Sequence, residues 1–216
     1  MSTTLNENEV RVLGSLVEKQ LTTPEYYPLT LNALTAACNQ KSNRDPVMSL
    51  DDTSILAAID SLRDKNLVYL YYGSTSRNVK YKHMVPSVYE LEPPAVALIA
   101  LLLLRGPQTV GELRGRSDRL YEFSGLGEVQ ETLDGLADRS EPLVFKLERQ
   151  SGQKEARYAH LLSGEIDVAA MNVGRERHSG GSSNDRIENL EQKVDRLSNE
   201  LASFRETFDE FRKQFD

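Results

Sequence analysis

Twice along this chain the spacing of apolar residues changes from a helical period to a strand period, each time after a third helical stripe. A helix repeats its faces about every 3.6 residues and a strand every two, so one segment cannot satisfy both patterns. In the first pass, Asn6 and Glu9 make a helix-start box. Val10, Leu13, Leu16, Val17 and Leu21 follow it at helical spacing. Thr23-Pro24 ends that helix, and residues 24–28 form a loop rich in Pro and Tyr. Thr30 caps a second helix whose inner face is Leu31, Leu34, Ala37 and Cys38. Ser49-Leu50-Asp51-Asp52 reads as the capping box of a third, with Ile55, Leu56, Ile59 and Leu62 inward. Residues 67–72 then read as a strand, 73–78 as a turn and 79–85 as the returning strand.

The second pass keeps the order. Pro93-Pro94 opens a helix whose body, residues 95–104, is wholly apolar. A bilayer span needs roughly 20 such residues, so this run predicts a buried helix in a soluble fold. Thr109-Val110-Gly111-Glu112 caps a short helix through Leu113. Gly127-Glu128 opens another, with Val129, Leu133 and Leu136 inward. Residues 143–147 and 156–162 form the second hairpin. Tyr81-Lys82-His83 answers Tyr158-Ala159-His160, and Ile59-Asp60-Ser61-Leu62 answers Leu133-Asp134-Gly135-Leu136. Three helices followed by a hairpin is the winged-helix form of helix-turn-helix. The expected fold is mainly α with small β-hairpins (α+β): winged-helix domains at 1–90 and 91–163, a linker at 164–184, and a coiled-coil helix at 185–216.

The linker contains His178-Ser179-Gly180-Gly181-Ser182-Ser183. Beyond it Ile187, Leu190, Val194, Leu197, Leu201, Phe204, Phe208, Phe211 and Phe215 alternate spacings of three and four. That is a heptad seam, long enough for roughly 43 Å of helix. So narrow a stripe calls for a partner, and Glu200 and Arg205 would attract across a parallel dimer. A homo-oligomer, with a dimer ahead of other stoichiometries, is expected. The alternative is an amphipathic helix folded back on the chain's own domains.

The polar stretch Asn39-Gln40-Lys41-Ser42-Asn43-Arg44-Asp45-Pro46-Val47-Met48 follows Tyr27-Pro28-Leu29-Thr30-Leu31-Asn32-Ala33-Leu34. Together with Gly152-Gln153-Lys154-Glu155-Ala156-Arg157-Tyr158-Ala159-His160-Leu161-Leu162 it resembles the bacterial YceH-like family. The resemblance covers residues 5–165. It implies two tandem winged-helix domains and brings no assigned activity.

Asn39, Ser42 and Asn43 favour turns, and Pro46 forbids helix across Asp45, so the loop between the second and third helices is structured. It is expected to present Lys41 and Arg44. In a helix-turn-helix, groups opening the third helix enter the major groove, and wing cations meet phosphates. The candidate nucleic-acid contacts are Lys41, Ser42, Asn43 and Arg44, with Arg77, Lys80 and Lys82 on the first wing. In the second half they are Arg114, Arg116 and Arg119 ahead of the third helix, and Lys154 and Arg157 on the wing. Against duplex DNA stand the net charge of −7 and the carboxylates Asp51, Asp52, Asp60, Asp64, Glu128, Glu131, Asp134 and Asp138 of the third helices. A carboxylate beside a phosphate costs about 1 kcal/mol even in water. Two functions follow: a DNA-binding regulator of transcription, or a protein–protein adaptor. Salt separates them, because DNA affinity falls steeply with it. In a structural alternative for the loop, Lys41 and Arg44 bridge carboxylates of the chain itself, such as Asp51 or Asp52.

No catalytic constellation is found. His83, His160 and His178 lack metal-ligand spacing, and Cys38 has no second thiol, so no metal or cofactor is implied. Gly125-Leu126-Gly127 is too short for a phosphate loop. One cysteine, on an apolar helix face, allows no internal disulfide and is expected to be buried. Met1-Ser2-Thr3-Thr4 resembles no targeting segment, so a cytoplasmic location away from membranes is expected.

Overall fold

The computed structural model describes residues 4–72, 79–149 and 155–164. These form a mixed α/β unit with seven α-helices and two small antiparallel sheets.

Helix α1 (Glu7–Thr22) starts where its sequence says. Asn6 Oδ1 accepts the Glu9 N–H at 3.0 Å, and a Glu9 carboxylate oxygen accepts the Asn6 N–H at 2.7 Å. A 3-10 turn (Pro24–Tyr26) leads to the two-residue strand β1 (Leu29–Thr30), and Thr30 caps α2 (Leu31–Cys38). Helix α3 (Asp52–Asp64) begins later than expected. Asp51, not Ser49, is its cap, accepting the Ser54 N–H at 2.8 Å. Leu56, expected inward, is 39% exposed, because Ile55, Ala58, Ile59 and Leu62 complete the buried face. Strands β2 (Val68–Tyr71) and β3 (Lys80–His83) form the first hairpin. Helices α4 (Val85–Tyr89) and α5 (Pro93–Arg105) follow, the first of them absent from the sequence reading.

Helix α6 (Val110–Ser117) has the Thr109–Glu112 capping box but runs a turn past Leu113. Arg114 and Arg116 therefore belong to its last turn. Helix α7 (Leu126–Ala137) precedes the hairpin of β4 (Val144–Leu147) and β5 (Arg157–His160).

The two halves match beyond the hairpins. Val68 pairs with His83 and Val144 with His160. In the first half β1 adds an edge strand through Leu29–Tyr81 and Thr30–Lys80, giving the order β1-β3-β2. In the second half Gln108 makes the corresponding bridge to Tyr158, with reciprocal backbone hydrogen bonds of 3.0 and 2.7 Å. In both halves the bridging residues immediately precede or include the next helix's cap.

The core centres on α5. A helix apolar on every side is stable only if surrounded, and all ten residues from Ala95 to Leu104 are buried. Helices α1, α6 and α7 and strand β5 pack against it. Against α1 the approach is close at Gly14: a Cβ there would lie 3.0 Å from Leu103 Cβ and from the Leu104 side chain.

Candidate nucleic-acid interface

Helix α1 carries a polar stripe beside its apolar one. Arg11, Ser15 and Glu18 lie at helical spacing on one face, and all are buried. The stripe holds the loop of residues 39–51. Arg11 donates to the Cys38 carbonyl at 3.1 Å and to the Pro46 carbonyl at 2.5 Å. Glu18 receives Arg44 through two parallel hydrogen bonds of 3.0 and 2.7 Å. Arg44 also donates to the Ala37 and Asn43 carbonyls and to Gln40. Burial alone would raise the Glu18 carboxyl, but Arg44 outweighs it and holds the group below the ordinary value. From α5, the Leu104 carbonyl accepts the Asp45 N–H at 2.9 Å.

This corrects the expectation for Arg44. It is 5% exposed, and all five of its N–H donors have acceptors inside the chain, so it is not presented to a partner. The internal-bridge alternative holds for Arg44, with Glu18 as partner instead of Asp51 or Asp52. Asp51 caps α3, and Asp52 accepts the Thr35 hydroxyl at 2.6 Å. Glu18 lies far away in sequence, and its one signal was a charge one heptad after Arg11, beside an apolar stripe. Lys41, Ser42 and Asn43 are exposed. Asn43 takes the left-handed conformation (φ 59°), which Asn tolerates better than most residues, and accepts an Arg105 N–H at 2.9 Å.

The first hairpin brings together Lys80 and Lys82. Tyr69 lies opposite Lys82 and Tyr71 opposite Lys80. Directly opposed residues share a face of the sheet, so two tyrosines and two lysines stand on the face turned from the core. Tyr69 and Tyr71 are 50% and 49% exposed. Neither lysine has an ion-pair partner among the described residues. The opposite face carries Val68, Tyr81 and His83 into the core. The His83 N–H is capped by the Tyr27 hydroxyl at 2.7 Å, and burial pushes the imidazole down to about 4. His160 is pushed to about 4 by burial as well.

The second-half cations are mostly engaged within the chain. Arg114 pairs with Asp118. Arg116 donates to Gln108 at 2.7 Å and lies 3.7 Å from Glu112. Arg157 joins Glu112 at 3.2 Å and the Pro107 carbonyl at 2.9 Å. Arg119 is exposed and has no ion-pair partner among the described residues. Arg77, Lys154 and the heptad seam from Ile187 to Phe215 lie outside the described residues.

Four of the candidates converge elsewhere. Ser42, Asn43, Arg116 and Arg119 line a cleft of about 510 Å³, joined by Lys19 of α1 and Arg105 of α5. Leu101, Leu104 and Leu120 supply its apolar lining. Burial, then the adjacent Arg116 guanidinium, depresses Arg105 below the ordinary arginine range.

Among the described residues no cluster of His, Cys, Asp or Glu could hold a metal ion. No helix there is long and apolar enough to cross a membrane.

By fold and site this is a mixed α/β protein with exposed polar and cationic surfaces. Residues 5–153 match the family described as "Protein of unknown function, DUF480", and the chain belongs to that family. It is 49% identical to a UPF0502 protein of Pelobacter propionicus over the full length of both chains. It is 51% identical to a UPF0502 protein of Geobacter metallireducens, again with both chains covered in full. A UPF0502 protein of Opitutus terrae is 53% identical over 77% of this chain and 73% of the relative. Membership of an uncharacterised bacterial family, read from the motifs, is thus borne out.

Proposed function

We propose that the chain is a DNA-binding regulator of transcription built from two tandem winged-helix halves, without catalysis, acting in the cytoplasm. The repeated order of three helices and a hairpin supports the winged-helix reading, as do the matching edge bridges Leu29–Tyr81 and Gln108–Tyr158. The observation that carries the proposal is the sheet face of Lys80, Lys82, Tyr69 and Tyr71. Two cations with no ion-pair partner among the described residues, flanked by rings, suit the sugar-phosphate backbone. Lys41, in the exposed loop before α3, adds a third contact. The buried Cys38 suits a reducing compartment. The heptad seam would pair protomers, and avidity would reinforce modest single-site contacts. Deleting residues 185–216 should then halve the molar mass in solution and weaken DNA binding.

The test is binding of mixed genomic fragments across salt, with a Lys80→Ala, Lys82→Ala double variant alongside. Each lost phosphate contact lowers the salt slope by about 1, so the double variant should lose about 2. Absence of binding by folded protein at low salt would remove the proposal.

A second reading has its own observation. The outward side of α3 presents Asp52, Asp60 and Asp64 around the exposed Leu56. Carboxylates there repel phosphates but suit a basic protein surface, so the alternative is a protein–protein adaptor. Its affinity would not rest on the wing lysines.

A further inference from the structure

The cleft between α1, the loop of residues 39–51, α5 and α6 concentrates positive charge in a chain whose net charge is −7. Among the described residues, Lys19, Arg105, Arg116 and Arg119 line it against two carboxylates, Glu18 and Asp118. Both acids are already neutralised from outside the lining, Glu18 by the buried Arg44 and Asp118 by Arg114. Arg116 in turn lies 3.7 Å from Glu112, also outside the lining, so the surplus that faces the cavity rests on Lys19, Arg105 and Arg119. Low-dielectric walls lined by one sign of charge focus the field on whatever enters.

The cations also have capacity to spare. Among the described residues Arg119 forms no ion pair, and Arg105 has a single side-chain partner, Asn43. Lys19 reaches its two acceptors, Glu18 and Gln40, only at 3.4 Å. Holding Arg105 beside Arg116 is electrostatically unfavourable, and a bound anion would relieve that repulsion. A volume of about 510 Å³ falls within the usual range for small-molecule sites. Ser42 adds a hydroxyl and the leucines an apolar wall.

We propose that this cleft binds a small phosphorylated molecule, one with at least two phosphate groups on an organic body of about mononucleotide size. The arginines would grip phosphate oxygens, for which their planar fork is suited. The leucine wall would take the organic body. Such a ligand would tie the loop leading into α3 to the segment leading into α7. It would thereby couple the two halves at corresponding positions, as an effector does. The proposal does not rest on the DNA reading.

The test is calorimetric titration of the full chain with inorganic pyrophosphate and with ADP, at constant ionic strength. Saturable one-site binding is expected for both, and tighter for ADP. Arg119→Glu and Arg116→Ala should each weaken it at least tenfold. Arg119 is exposed and makes no ion pair among the described residues, so its variant should fold, which circular dichroism would check. Arg63→Glu, on α3 outside the cleft, should bind as wild type. So should the Lys80→Ala, Lys82→Ala variant, which separates this site from the wing. No saturable heat with either probe would overturn the proposal, as would wild-type affinity in both cleft variants. ADP binding no tighter than pyrophosphate would overturn its organic part.

Discussion

Arg44 carries the sharpest lesson at the scale of single residues. A cation in a polar loop reads as a contact for a partner, yet this one is the loop's internal anchor. Its guanidinium is nearly inaccessible and lies 2.7 Å from the Glu18 carboxylate. Removing one member of a buried pair leaves the other charge without compensation, at a cost of about 3–5 kcal/mol. Arg44→Ala should therefore lower the unfolding free energy by about that amount, measured by urea denaturation. Glu18→Ala should cost as much, and the double variant much less than the sum. A variant of Arg44 with wild-type stability would show that the pair does not hold the loop. Lys41, three residues earlier, is exposed and should be nearly neutral. The two cations look alike in sequence, and only the position of Glu18 distinguishes them.

At the scale of elements, the helix starts were legible because caps are local. Asn6, Thr30 and Thr109 each hold a nearby backbone N–H, a contact that spacing alone reveals. The start of α3 moved because Ser49 and Asp51 both qualify as caps, and which one wins depends on where the loop is pinned. Strand β1 is not legible in the sequence, since two residues have no period and Thr30 pairs with Lys80 of β3, far along the chain. The packing of α1 on α5 yields a paired prediction. Gly14→Ala gains about 1 kcal/mol of helix propensity but overfills a contact already at 3.0 Å, which costs about 1–3 kcal/mol. A net loss of about 1 kcal/mol is expected. Gly135→Ala, in α7 with nothing near its Cβ position, should instead gain up to about 1 kcal/mol. Equal gains in both would show that α1 and α5 do not approach so closely.

At the scale of the described residues as a whole, two matched halves share one core, and each holds a histidine against it, His83 buried and His160 half-buried. His83 and His160 are held neutral, each with a folded value of about 4 against an ordinary 6.5. Their stability is complete above the unfolded value and declines as pH falls from 6.5 toward 4, because the unfolded chain binds the proton first. At about pH 5 each would contribute a loss of about 2 kcal/mol. Glu9 and Glu18 act in the same direction at lower pH. For both, burial opposes ionisation but is outweighed, at Glu18 by Arg44 and Lys19 and at Glu9 by Lys65 with the Ser61 and Asn6 hydrogen bonds, so their stabilisation fades as pH drops below 4.5. The urea midpoint should be flat above about pH 7, decline through the histidine range and fall further below it. His83→Phe should flatten the first part of that decline. A wild-type midpoint unchanged between about pH 7 and pH 5 would contradict the neutral state of the two histidines.

Local chemistry made the order of helices and hairpins, their repetition and the burial of residues 95–104 readable from sequence alone. Period, caps and turn residues act within a few positions, so they survive without knowledge of the fold. The wing lysines were readable too, because strand alternation places Lys80 and Lys82 on one face. The tertiary structure alone decided the fate of the other cations. It joined Arg44 to Glu18 across 26 positions and Arg157 of β5 to Glu112 of α6. It also gathered Lys19, Arg105, Arg116 and Arg119 around one cleft. A long charged side chain has no period and no local partner to declare it. Whether it is spent inside or left for a ligand depends on which carboxylates the packed helices bring within reach.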